Sequence, residues 1–241
     1  MGTFVTAVAY LGAGLLLFFL ITALGFMYYG WNYAAPLEQA VPGTTKIACI
    51  GDSITCGALL KNRKQNCYPA QLERMLGSQY SVRNFGVNGH TLQKQAKASY
   101  WSHRYFRASS EFAPDIVMIM LGTNDARVHN WKGIGPFSSD YRALIEHYRS
   151  LSGRPVVYAM TPPTEFSTGR HAAHSNVLEN NRICEITESI KKLADEMGFD
   201  VIDINAATRS HPECFWFDGI HPDAKGAKII AETVYAKLTS K

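Results

Sequence analysis

The chain has 241 residues, 24 Lys and Arg against 20 Asp and Glu, and a formal charge of +4. So mild a basic excess, with no arginine-rich helix and no aromatic–basic array, argues against nucleic-acid binding. The five cysteines, at 49, 56, 67, 184 and 214, show no metal or redox spacing. Cys56 and Cys67 flank the basic loop Lys61-Asn62-Arg63-Lys64 and could pair only outside a reducing compartment. No metal or cofactor site is expected: His171 and His174 are three apart, but no cysteine or carboxylate completes a ligand set around them.

Residues 1–37 contain no Lys, Arg, Asp, Glu or His, and Phe4 to Trp31 is predominantly apolar. That length exceeds the roughly 20 residues needed to cross a bilayer. Tyr28, Tyr29, Trp31 and Tyr33 crowd its end, as an interfacial aromatic belt does. The span reads as a single-pass transmembrane helix over 1–33, with the rest of the chain extracytoplasmic. A cleaved signal peptide, cut at Ala23-Leu24-Gly25, is the alternative and would give a secreted protein, but the basic n-region is missing. Residues 34–44, with Pro36 and Pro42-Gly43, read as a linker, and 45–241 as one domain with a sizeable core.

Past the linker the pattern reads strand 46–50, helix 68–77, strand 81–85, helix 91–108, strand 115–121, helix 136–151, strand 155–159, helix 177–197, strand 200–204 and helix 223–238. Strands alternating with helices predict an α/β fold, a three-layer α/β/α sandwich on a central parallel sheet. Ile116-Val117-Met118-Ile119-Met120 is apolar at every position, as a strand covered on both faces is.

Four blocks carry chemistry: Gly51-Asp52-Ser53-Ile54-Thr55, Asn84-Phe85-Gly86-Val87-Asn88-Gly89, Gly122-Thr123-Asn124-Asp125 and Asp218-Gly219-Ile220-His221-Pro222. Three of them follow predicted strands, which gathers them at the carboxyl edge of the sheet, where open α/β sheets bind ligands. Taken singly, each block is equally a turn or a helix cap. In this order and spacing the set resembles the SGNH or GDSL hydrolase family over residues 46 to about 238, with Ile54-Thr55 where the name-giving block has leucine. The rival serine-hydrolase signature, G-x-S-x-G, fails because Thr55 stands where its second glycine belongs.

A serine hydroxyl is a weak nucleophile until a base takes its proton, so Ser53 needs an imidazole, for which His221 is the candidate. Asp218, three residues earlier, suits the carboxylate that fixes the imidazole's tautomer. The resemblance implies an oxyanion hole made by the N–H of Ser53, the N–H of Gly89 and the side-chain amide of Asn124; aligning Asn84 with the family's block selects Gly89 over its near rival Gly86. Asp52 is given no catalytic role, and the remaining histidines read as surface or packing residues.

The stretch Gly122 to Pro155 resembles bacterial SGNH esterases that remove O-acetyl groups from carbohydrates, sialate O-acetylesterase-like proteins included. This implies a serine esterase acting on small acyl esters, acetyl above all, on a glycan or small molecule. Trp131 and the segment Thr161 to Asn176 follow predicted strand ends and are expected to rim the site; Trp131 suits stacking on a sugar face and equally a loop anchor. The competing readings are a lysophospholipase or thioesterase, which the membrane anchor favours, and an O-acetyltransferase. A glycan-binding module without catalysis leaves the four blocks unexplained.

Overall fold

The computed structural model describes residues 14–15, 17–22, 34, 36–166 and 177–240. The chain divides into two compact units, Met1–Tyr33 and Ala34–Lys241. In the first, residues 14–15 and 17–22 are helical, and the large apolar side chains among them, such as Phe18, Phe19 and Leu20, are exposed. The remainder of the expected transmembrane span lies outside the described residues. Among the described residues, no helix is long and apolar enough to cross a membrane.

The second unit is built on five parallel strands: β1 (Thr45–Gly51), β2 (Tyr80–Gly86), β3 (Ile116–Met120), β4 (Val156–Met160) and β5 (Asp200–Ile202). They lie in the order β2-β1-β3-β4-β5, with Ile47 of β1 in register with Val82 on one side and Ile116 on the other. Among the described residues eight helices accompany them: α1 (Ser53–Cys56), α2 (Arg63–Asn66), α3 (Tyr68–Leu76), α4 (Arg104–Glu111), α5 (Ile134–Arg149), α6 (Val177–Met197), α7 (Ile204–Thr208) and α8 (Ala224–Thr239).

The two-residue period of a strand explains the layering. Ala48, Ile50, Val117, Ile119, Val157 and Ala159 face a core completed by Tyr105 of α4, Phe137, Tyr141 and Leu144 of α5, and Ile183, Ile186 and Ile190 of α6. Their neighbours Ile47, Cys49, Met118, Met120, Tyr158 and Met160 face a second core, closed by Tyr68 and Leu72 of α3 and Ile230 and Val234 of α8. Helices therefore cover both faces, which is why β3 is apolar throughout. Because β2 and β3 flank β1 on opposite sides, a crevice opens at the carboxyl ends of β1 and β3, the switch point at which such sheets take their ligands.

Two expectations change. Residues 91–99 are not helical: helix 91–108 shrinks to a 3₁₀ turn, Tyr100–Ser102, followed by α4. The backbone groups of 91–93 find partners elsewhere. The Thr91 carbonyl accepts from the Tyr100 N–H and so is not given to Gln95, as a helix requires, while the Thr91 N–H donates to Ala98 O and the Leu92 and Gln93 N–H groups donate to the Asp125 carboxylate. Strand 200–204 ends at Ile202 because Asp203 caps α7, accepting from the Ala206 N–H at 3.0 Å. The segment read as a linker is fastened to β2: Ala34 pairs with Val87, Gln39 O accepts from Arg83, and Val41 N–H donates to Ser81 Oγ. All five cysteines are free thiols, Cys56 and Cys67 included.

Candidate active site

Ser53 is the first residue of α1, immediately beyond the end of β1, and it is buried. Asp52 caps that helix, its Oδ1 accepting from the Ile54 N–H at 2.9 Å. At the helix N-terminus a main-chain N–H has no i−4 partner, and the Ser53 N–H finds no acceptor among the described residues. Asn84 steadies the turn from β2: its side-chain amide donates to Thr55 O at 2.7 Å, and its Oδ1 accepts from the Gly86 N–H at 2.9 Å.

The loop before α8 brings His221, the candidate base. His221 Nε2 stands 2.9 Å from Ser53 Oγ, and Nδ1 stands 2.7 Å from Asp218 Oδ2. The other Asp218 oxygen accepts from the N–H groups of Ile220 and His221, both at 3.0 Å, so the carboxylate is locked to its own loop. Burial pushes the Asp218 carboxyl up, but its bond to His221, that residue's charge and the two N–H donors outweigh it and hold the carboxyl below its ordinary value. An ionised carboxylate only accepts, so Nδ1 carries the proton and Nε2 is left to accept from the serine hydroxyl. The loop is tied down by Trp216 N–H to His221 O and by Asp223 N–H to Cys214 O, each 2.8 Å.

The two glycines of the second block separate. Gly86 spends its N–H on Asn84, and a Cβ there would lie 2.3 Å from Cys56 N, so glycine at 86 lets α1 pack on β2. Gly89 has φ +72°, a left-handed conformation that favours glycine, and its N–H has no acceptor among the described residues. Asn124, past β3, donates one amide hydrogen to His90 O at 3.0 Å, which leaves the second uncommitted.

Asp125 has a role that the motif alone did not disclose. It is fully buried, and its two oxygens accept from the N–H groups of Leu92 at 2.9 Å and Gln93 at 2.8 Å. Burial pushes its carboxyl up to about 7, against those two donors, and the charge of Asp52 adds to the rise. Burial likewise lifts Asp52 to about 6, against the Ile54 N–H and the charges of His221 and Arg127. Asp52 Oδ2 is buried without a hydrogen-bond partner. Arg127, three residues beyond Asn124, pairs with Glu165 at 2.5 Å and so links the loops that follow β3 and β4.

Trp131 is half-buried against the first core, and the Arg182 guanidinium lies 5.8 Å from its ring centre. Arg182 also donates to Ala126 O at 3.0 Å, so this pair fastens the loop after Asn124 to α6. Among the described residues no hydrogen bond or ring contact joins Trp131 to Ser53 or His221. Of the expected rim segment, Thr161–Phe166 is described, and Phe166 N–H donates to Gly219 O at 2.9 Å, beside Asp218; residues 167–176, His171 and His174 among them, lie outside the described residues.

The chain is similar to several known proteins. An acetylxylan esterase of Xylanibacter ruminicola is 30% identical over 221 residues, which is 85% of this chain and 44% of that protein. A GDSL esterase/lipase of Arabidopsis thaliana is 26% identical over 141 residues, 52% of this chain and 55% of its own length. The chain thus spans about half the length of the curated relatives it matches. In fold, it is similar to a carbohydrate acetylesterase family member from Sinorhizobium meliloti (TM-score 0.66, 21% identity, 82% of this chain and 98% of that one). It is also similar to the inhibitor-bound aryl esterase of M. smegmatis (TM-score 0.69, 17% identity, 82% and 99%). The profile of the GDSL-like lipase/acylhydrolase family matches residues 49–229, three-quarters of the sequence, and with the four blocks now at one sheet edge the chain belongs to that family.

Proposed function

We propose that the protein is a serine esterase that removes small acyl groups, acetyl in the first place, from carbohydrate. The observation that carries this reading is the hydrogen-bonded line Asp218–His221–Ser53 at the carboxyl end of β1. In the reaction, His221 Nε2 takes the Ser53 hydroxyl proton as Oγ attacks the ester carbonyl, and the imidazolium is stabilised by Asp218. The tetrahedral oxyanion is received by the N–H groups of Ser53 and Gly89 and the free amide hydrogen of Asn124, each donor contributing roughly 2.7–4 kcal/mol to the transition state. His221 then protonates the departing sugar alcohol, and water, activated by the same imidazole, releases the acid from Ser53.

The acetyl and carbohydrate preference is supported by the acetylxylan esterase relative and by the resemblance of Gly122 to Pro155 to carbohydrate O-acetylesterases. The charge-free apolar N-terminus favours a single-pass membrane anchor with the enzyme outside the cytoplasm. It also keeps a second reading in play, a lipid acylhydrolase of the lysophospholipase kind, since the anchor would hold the site close to lipid. Initial rates on p-nitrophenyl acetate and p-nitrophenyl palmitate, then on acetylated xylo-oligosaccharides and lysophosphatidylcholine, test the choice. Turnover of acetyl esters and acetylated sugar, with little on the long-chain substrates, is expected; the reverse order would replace carbohydrate with lipid.

A further inference from the structure

Away from Ser53, one set of metal-ligating side chains converges among the described residues. His211, Glu213 and Cys214 place one donor atom each within 4.8 Å of one another. His211 Nδ1 lies 3.3 Å, and Cys214 Sγ 3.7 Å, from the same Glu213 oxygen. The donors are presented by a single 3₁₀ turn, Pro212–Cys214, with His211 as its N-cap, so few bonds separate them and little chain must be ordered to hold them together.

The distances have a specific meaning. A tetrahedral zinc ion bound by imidazole, carboxylate and thiolate would set its N···O edge at about 3.4 Å and its S···O edge at about 3.6 Å, from metal–ligand bonds of roughly 2.0–2.3 Å. The observed 3.3 and 3.7 Å, which are also hydrogen-bond contacts to the shared Glu213 oxygen, match both edges; the third, N···S, lies within 4.8 Å and closes toward about 3.6 Å when the metal binds. A nitrogen, oxygen and sulfur set is also one that borderline-soft ions prefer over magnesium or calcium. Two charges act on the thiol from the neighbouring segment: the Asp223 carboxylate, which would favour a cation, and the Lys225 ammonium, which opposes it. Asp223 itself is occupied as the cap of α8.

The geometry points to an open three-ligand site at His211, Glu213 and Cys214 for a borderline-soft divalent cation, zinc in the first place, with solvent completing the tetrahedron. On binding, the Cys214 S–H bond breaks, its proton passes to the buffer and the sulfur lone pair forms the bond to the metal, so affinity rises with pH. The site braces the catalytic loop and takes no part in the chemistry. Cys214 O accepts from the Asp223 N–H, Phe215 bridges to Pro222 and the Trp216 N–H donates to His221 O, so a metal on the turn stiffens the segment 214–216 that is bonded to the one carrying His221.

The test is a titration of the metal-stripped full chain with Co²⁺ as the spectroscopic probe and Zn²⁺ as competitor. One equivalent of Co²⁺ is expected to bind with a sulfur-to-cobalt charge-transfer band that Zn²⁺ abolishes. Cys214→Ser should remove the band, and Cys184→Ser, at an exposed thiol, should leave it. His211→Ala alters a half-exposed side chain outside the two cores and so spares folding; it should weaken binding by roughly tenfold or more and cancel the rise in unfolding temperature that Zn²⁺ gives the parent chain. Absence of binding, a cobalt band that survives Cys214→Ser, or an affinity unmoved by His211→Ala would overturn the proposal.

Discussion

Asn124 donates its side-chain amide to the main-chain carbonyl of His90 at 3.0 Å, and this bond ties the third block to the residue that follows the second. The loop that carries Gly89 is thereby registered against the end of β3, and the remaining amide hydrogen of Asn124 belongs to a side chain that this bond orients. Asn124→Ala should lower turnover by roughly 10²–10³ with little change in KM, because the donor meets charge that develops in the transition state. An effect confined to KM would make Asn124 a residue that positions the ground-state ester.

The neighbouring Asp125 grips the same loop through Leu92 and Gln93. Asp125→Asn keeps one acceptor oxygen but sets an amide NH₂ against a buried main-chain N–H, a mismatch that costs about 1–3 kcal/mol of stability. If the loop registers Gly89, kcat should fall by about tenfold or more in enzyme shown to be folded. A variant that loses stability but retains full kcat would confine Asp125 to scaffolding.

Asp52 gives a pH dependence whose sign is fixed. Its carboxyl is lifted by burial from an ordinary 3.8 to about 6. The folded state therefore holds the proton more tightly than the unfolded chain does. The resulting stability is fully present below the unfolded value and is lost as pH rises through about 6. Asp52→Asn keeps the cap to Ile54 and removes the titration. Its stability relative to the parent chain, from urea midpoints, should improve between about pH 4 and about pH 7. A pH-independent difference would show that Asp52 does not titrate in that window.

Truncation tests the proposed anchor. A chain beginning at Ala34 keeps the Ala34–Val87 bridge and the Gln39–Arg83 bond; it should be soluble and as active as the full-length protein, which should resist carbonate extraction. A chain beginning at Ala40 loses both contacts and should unfold at lower temperature. Full-length protein released by carbonate with its N-terminus intact would contradict the anchor. A folded but inactive Ala34 chain would assign the apolar segment to substrate binding.

The strands were legible because β1, β3 and β4 are short apolar runs whose alternate residues feed two cores, so pattern and burial coincide. Ser53, Asp218 and His221 could be picked out because their chemistry demands those residue types, and Asp218 and His221 share one short loop. The helix expected from residue 91 failed because the segment folds back on itself, Thr91 exchanging bonds with Ala98 and Tyr100, and because Asp125, 32 residues from Gln93, holds the loop in that shape; no local pattern reports either. Asp125 escaped notice for the same cause, since it stands in the motif but its partners lie in another loop. Trp131 followed a strand end as expected, yet what its ring meets, Arg182 of α6, is fixed by packing.

The central claim is that Ser53 is the nucleophile and acts as a unit with His221. A fluorophosphonate probe on the purified chain, followed by peptide mapping, tests it most directly, with Ser53→Ala, His221→Ala and the double variant alongside. The probe should attach to Ser53 and fail on Ser53→Ala. Each single substitution should cost several orders of magnitude in acetyl-ester turnover, and the pair little more than either alone. Undiminished labelling of Ser53→Ala, or losses that multiply in the double variant, would contradict the account.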